Sequence, residues 1–268
     1  MKSLIKKITI ACMTVLTAFT VAGCGNAQTD TSVTDIIARG SFRVAIPDYD
    51  TSLLYYDSEA GAFRGTEAEI IDVIATSLGV PVQYVEVPKA ELMLAVANGN
   101  ADVAIGYIDQ NSSSLQNYGK TLSYGGENLY VVSPKGVYVG SLTVFKDNKV
   151  GVSNLIDQNA YGPVYNCGAA EVLIYDNSQS VIAALSNDEI EGYVCYQSEA
   201  QYLISTGDFQ VQSCVDLERE EFVIGTLASN TELISGSNNL IQMYLEGKKA
   251  ASWMPQPEVA EEQAAPAQ

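Results

Sequence analysis

The sequence predicts an α/β protein of two lobes, each an open, mostly parallel sheet with helices on both faces, joined by two crossover strands. Three observations carry this. Short β-branched runs alternate with helix-periodic stretches from residue 41 onward. After a break, the same alternation restarts at residue 149. Apolar residues make up 47% of the 268-residue chain and charged residues only 17%, enough to fill two modest cores.

The elements follow in order. Phe42-Arg43-Val44-Ala45-Ile46 reads as a strand closed by Pro47. Thr66-Glu67-Ala68-Glu69 reads as a capping box, opening a helix with Ile70, Ile71, Val73, Ile74 and Leu78 on its apolar positions and Gly79 as its stop. A strand over 82–87, a helix over 91–97 ended by Asn98-Gly99, and a strand over 101–108 complete the first cycle. The second cycle begins with a strand over 149–153 and a helix after Asp157. Strand 171–175, helix 179–185, strand 192–196 and helix 199–205 follow. Both cycles contain a helix end, a polar turn and an acidic residue before a strand, at 95–102 and at 184–191.

Leu129-Tyr130-Val131-Val132 and Phe222-Val223-Ile224-Gly225 are read as the crossings between lobes. They divide the chain into a first lobe of residues 34–130 plus 225–254 and a second lobe of residues 131–224. A last helix over about 232–246 returns to the first lobe, with Trp253 packed near its end. Residues 255–268 are rich in Pro, Ala and acid, without apolar period, and read as a disordered tail.

The N-terminus carries the most specific short signal. Lys2, Lys6 and Lys7 precede an apolar run over 8–22 that is too short for a permanent membrane span, which needs about 20 residues. Val21-Ala22-Gly23-Cys24 resembles the lipobox of bacterial lipoproteins, with residues 1–23 as the signal peptide, Cys24 as the acylated residue and residues 24–33 as a tether. Two acyl chains, at about 0.8 kcal/mol per buried CH₂, give stable anchoring. The expected location is therefore the extracytoplasmic face of the cell membrane, held by lipid. Of the remaining cysteines, Cys167, Cys195 and Cys214 are odd in number and contain no C-x-x-C, so no disulfide framework is implied, although one pair stays open. Cys195 lies in an apolar strand and is expected to act as a small hydrophobe.

The chain has no histidine, which excludes Ser-His-Asp and Cys-His nucleophiles and histidine-ligated metal. No metal or cofactor is expected. Once Lys2, Lys6 and Lys7 are removed, 11 basic residues face 32 acidic ones, a formal charge of −21. Such a field repels phosphate backbones and argues against nucleic-acid partners.

Five stretches, in order and spacing, are similar to the family 3 extracellular solute-binding proteins, the polar-amino-acid receptors of ABC importers. These are residues 36–44, Gly65-Thr66-Glu67-Ala68-Glu69-Ile70, residues 97–103, residues 191–203 and residues 220–228. The resemblance covers roughly Asp35 to Trp253. It implies a periplasmic-binding-protein-like fold, with a small solute held in the interlobe cleft and a closed form read by an ABC permease. A monomer without catalytic groups is expected.

The departures are as informative. The family's carboxylate-binding arginine, counted from Gly106, falls on Ser113. Its ammonium-binding aspartate falls on Tyr196, its third-strand threonine on Ile108, and its Gly-Thr turn on Leu155-Ile156. Tyr49 stands at the position whose ring stacks on the ligand in the family. Tyr107 and Asp109 end the third strand, where open sheets bind ligands, and Ser153 and Asp157 lie at the equivalent edge of the second lobe. The candidate ligand-binding set is therefore Tyr49, Tyr107, Asp109, Ser113, Ser153, Asp157 and Tyr196. Tyrosines with carboxylates and no arginine suit a cation or a neutral, hydroxyl-rich solute. Sixteen tyrosines in the chain place several near any cleft by chance, and Asp157 reads equally as a helix N-cap. Two other functions fit the same pattern: an enzyme of the cyclohexadienyl-dehydratase type, and a sensor lipoprotein with a degenerate site.

Overall fold

The computed structural model describes residues 30–247. The signal segment, Cys24, Trp253 and the acidic tail lie outside the described residues. The chain opens with a helix absent from the sequence reading, α1 (Ser32–Arg39), only eight residues long, which buries Val33 and Ile36. Strand β1 (Phe42–Pro47) follows, then a hairpin of β2 (Tyr55–Asp57) and β3 (Ala62–Arg64), and helix α2 (Thr66–Leu78). Strand β4 (Val82–Val87), helix α3 (Leu92–Ala97), β5 (Val103–Ala104) and β6 (Tyr118–Lys120) complete this stretch.

Strand β7 (Gly125–Glu127) leads into the second lobe. There β8 (Leu129–Pro134), β9 (Lys149–Ser153) and α4 (Gly162–Asn166) precede β10 (Glu171–Tyr175) and α5 (Ser178–Ser186). Strand β11 (Gly192–Tyr196), α6 (Gln197–Thr206) and β12 (Phe209–Gln212) end it. The chain returns through β13 (Glu220–Phe222) to β14 (Gly225–Leu227) and α7 (Thr231–Leu245).

The first sheet has the order β4-β1-β5-β14-β6 and the second β10-β9-β11-β8-β12. Each is built on three parallel strands, β4-β1-β5 and β10-β9-β11, extended by antiparallel strands. Two α/β lobes with helices on both sheet faces were expected, and this is what forms. Ile70, Ile71, Ile74 and Leu78 of α2 pack with Val44 and Ile46 on one face of the first sheet; Leu92, Met93 and Val96 of α3 cover the other. Val181, Leu185 and Leu203 of α5 and α6 pack on β8 and β11 in the second lobe. Each such side chain removed from water contributes about 1.5–3 kcal/mol.

Three local readings are corrected. The crossing between lobes is the ladder β7–β13, pairing Glu127 with Glu220 and Gly125 with Phe222, and not residues 129–132 with 222–225. Leu129, Val131 and Val132 are buried in the second sheet, because a strand carrying that much apolar volume is held between neighbours on both sides. The cap of α2 is Gly65, with φ of 105°, and not Thr66, so the box that Glu69 would have closed does not form, and Glu69 accepts from the Tyr244 hydroxyl instead. The third strand stops at Ala104. Gly106 (φ 129°) and Tyr107 (φ 51°) swing the chain into the left-handed region beneath Pro47, and the ladder cannot continue through them.

The crossing requires close approach. A Cβ on Gly126 would lie 2.1 Å from the Glu220 carbonyl oxygen, whereas one on Gly125 would meet nothing within 4 Å. Gly126→Ala is expected to destabilise the protein by about 1–3 kcal/mol through backbone displacement. Gly125→Ala should stay within about 0.5 kcal/mol of wild type. Urea unfolding of the two variants checks this pair.

Candidate functional site: a cleft between the lobes

A cavity of about 540 Å³ opens between the lobes on one side of the crossing ladder. The first lobe gives it Asp48 and Tyr49 after β1, Lys89 after β4, and Tyr107 and the serines 112–114 after β5. The second gives it Asn154, Asp157 and Gln158 after β9, with Tyr161 beside them. Every one of these lies past the carboxyl end of a parallel strand, where backbone groups are free and ligands bind in open α/β sheets.

Four of the candidate residues line this cavity: Tyr49, Tyr107, Ser113 and Asp157. Asp157 is both lining and cap, accepting from the Asn159 amide at 3.0 Å at the head of the turn Gln158–Tyr161. Tyr107 is only 1% exposed. Its hydroxyl donates to Glu127 Oε1 at 3.1 Å and lies 2.6 Å from Ser52 Oγ. The other three candidates sit behind the wall. Asp109 accepts from the Glu221 amide at 3.0 Å and the Asn111 amide at 2.7 Å, bracing the crossing. Ser153 donates to Glu199 at 2.9 Å. Tyr196 donates to Glu220 and stacks 5.0 Å from Tyr107, with Phe222 edge-on to both rings.

This aromatic layer covers a set of buried carboxyls. Glu67 accepts from the Tyr107 amide at 3.2 Å and from the Tyr124 hydroxyl. Burial pushes the Glu67 and Glu199 carboxyls above the ordinary carboxylate range, against the pull of their hydrogen bonds. Burial likewise raises Glu220 to about 7, with the Tyr196 bond opposing and the charges of Asp109 and Asp157 adding to the rise. Glu67 Oε2, Glu220 Oε1 and the Tyr49 hydroxyl have no hydrogen-bond partner.

Two functional side chains escaped the sequence reading. Lys89 reaches from the first lobe to donate its ammonium hydrogen to the carbonyl of Leu155 in the second. Its signal was present: it directly follows a strand-closing Pro88, at the same sheet edge that singled out Tyr107 and Asp109. Tyr161 lines the cavity and donates to the Ser153 carbonyl at 3.0 Å. Nothing in its local pattern separates it from the other tyrosines. A second direct bond between the lobes runs from Asn159 Nδ2 to the Asn111 carbonyl at 2.6 Å.

Two α/β lobes, a two-strand crossing and a polar cleft at the strand ends define a protein built to hold a small molecule between two bodies. The match to a family model over residues 42–246 makes the assignment specific: the chain belongs to the bacterial extracellular solute-binding proteins, family 3. It is a solute-binding protein. Among solved structures it is similar to the arginine-bound form of truncated ArgBP from T. maritima, with a TM-score of 0.66 and 17% identity over 79% of this chain and 99% of that one. The ancestral amino acid-binding protein AncCDT-1, a precursor of cyclohexadienyl dehydratase, gives a TM-score of 0.68 at 16% identity over 81% and 95%. The substrate binding protein of an amino acid ABC transporter gives 0.64 at 15% over 78% and 94%. At such identities the likeness establishes the fold. Among curated proteins, none matches. No helix among the described residues is long and apolar enough to cross a membrane.

The buried acid at the crossing sets a pH dependence. Folded Glu220 keeps its proton to about 7, against an ordinary value of 4.5, so the folded chain binds more protons than the unfolded one between those values. Stability therefore falls as pH rises through that window, by up to about 3 kcal/mol from this group at about 1.4 kcal/mol per pH unit. Glu67 and Glu199 act in the same direction. Urea unfolding at pH 5, 6, 7 and 8 is expected to show the decline, and Glu220→Gln to flatten it.

Proposed function

We propose that this chain is the solute-capturing lipoprotein of an ABC importer, anchored through Cys24, which closes its two lobes over a small polar molecule and presents the closed form to a permease. The observation that carries the reading is the cavity itself. Both lobes contribute its walls at their strand ends, and the two bodies are joined by a narrow two-strand ladder. In such a hinged pair, a ligand touching both walls favours the closed state by its differential affinity. Family membership over most of the chain supports extracytoplasmic solute capture, and one similar structure is the binding protein of an amino acid transporter.

Within this reading Tyr49, Tyr107, Ser113 and Asp157 contact the solute directly. Tyr196, Ser153 and Asp109 hold those residues and the crossing in place. Binding without turnover is the favoured reading over catalysis. Glu67 and Glu220, two of the proton-retaining carboxyls, stand behind the aromatic layer, screened from the cavity, and so are poorly placed as general acids toward a bound molecule.

A thermal-shift screen of the purified protein with amino acids, sugars, nucleosides and quaternary amines tests the proposal. One class is expected to stabilise it, by about 2.7 kcal/mol at a hundredfold excess over Kd. Tyr49→Ala should then weaken that solute about tenfold by loss of ring contact. Tyr138→Ala, at a side chain 80% exposed, should leave affinity unchanged. Conversion of the hit to a product would point instead to an enzyme.

A further inference from the structure

The walls of the cleft are acidic. Asp48 and Asp157 line the cavity, and Glu67, Glu199 and Glu220 stand close behind it. On composition alone this is a site for a cation. Yet one cation is already built in. Lys89 is the only basic residue among those lining the cavity, and its stem carries the ammonium across the gap from the end of β4 to the Leu155 carbonyl. The Tyr196 hydroxyl approaches the same oxygen at 3.5 Å.

Six other basic side chains of the described residues are spent in ion pairs elsewhere. Arg39 and Arg43 share Asp102, Arg64 faces Asp57, Lys135 faces Asp208, Lys149 faces Glu171 and Arg219 faces Glu221. Among the described residues Lys89 makes no such ion pair, nor do Lys120 and Lys146, but only Lys89 lines the cavity. Burial is the largest influence and leaves its proton affinity below that of an ordinary lysine, while Asp157, and Glu220, Glu67 and Glu199 where they are ionised, oppose that fall. Leu155 also lines a second compartment of about 250 Å³, which shares Tyr49 and Asn154 with the first.

We propose that Lys89 is the specificity-determining residue of this cleft: its ammonium fills the cation position between the lobes, so the cleft selects small polar solutes without net positive charge and rejects cationic ones. A second ammonium entering the same cleft would meet the Lys89 ammonium at close range, where like charges repel. The rest of the lining fits the selection. Ser112, Ser113, Ser114, Asn154 and Gln158 offer neutral donors and acceptors suited to hydroxyl, amide or zwitterionic groups. The inference rests on this cleft being the solute site.

Putrescine, a small dication with no carboxylate, is the probe. Calorimetric titration is expected to detect no binding to wild type, at least tenfold tighter binding to Lys89→Met, which keeps the stem and removes the charge, and none to Lys89→Arg. Lys89→Gln should behave as Lys89→Met and serves if the methionine variant folds poorly; circular-dichroism melting monitors each. Putrescine binding to wild type as tight as to either neutral variant overturns the proposal, as does continued indifference in both folded neutral variants. Either failure leaves the solute-binding reading to be judged by its own screen on the wild-type protein.

Discussion

The short ladder between Gly125–Glu127 and Glu220–Phe222 constrains everything else in the molecule. It is three residues long on each side, and it decides how the lobes face each other. Glu127 in this ladder accepts from the Ser198 amide at 3.0 Å, at the first turn of α6 in the second lobe, and from Tyr107 of the first. An acidic group at a helix N-terminus is favoured by the helix dipole. Apart from Phe222, the residues of the ladder's two strands are glycines and acids, and Tyr107 and Tyr196 join Phe222 to seal the crossing.

Those three rings separate a polar cavity from buried acid. A carboxyl taken out of water without a charged partner is stabilised by keeping its proton. Glu67, Glu199 and Glu220 follow that rule, each held by a tyrosine hydroxyl from Tyr124, Tyr193 or Tyr196. The formal charge of the sequence thus overstates the negative field within the cleft. Lys89 reduces it further from the cavity side.

The two-lobed α/β plan was legible because strand and helix periods alternate cleanly, and hydrophobic period is dictated by backbone geometry. Strand edges were legible for the same reason, which is why Tyr107 and Asp157 fall on the cavity, while Tyr49 and Ser113 were reached through the family resemblance. What stayed hidden was rotation and reach. Tyr196, Ser153 and Asp109 occupy the right edge but point inward, to Glu220, Glu199 and the Glu221 amide, and no one-dimensional pattern records which partner a side chain finds. Lys89 reaches another body, a contact set by interlobe geometry alone. The crossing was displaced by a few residues because the second sheet absorbs β8 fully, and Gly125-Gly126 carries too little apolar volume to look like a strand.

The order of strands bears on how the chain comes together during synthesis. The five strands of the second sheet all come from one uninterrupted segment, Leu129 to Gln212, so its contacts close locally. The first sheet is different. Strand β14 lies between β5 and β6, and it is the last strand made. Until residue 227 has emerged, β6 has no neighbour, and until α7 follows, one flank of α2 stays bare. The N-terminal half therefore waits, partly assembled, for the C-terminal one, and a chain broken off after the second lobe would lack the strand that joins β5 to β6.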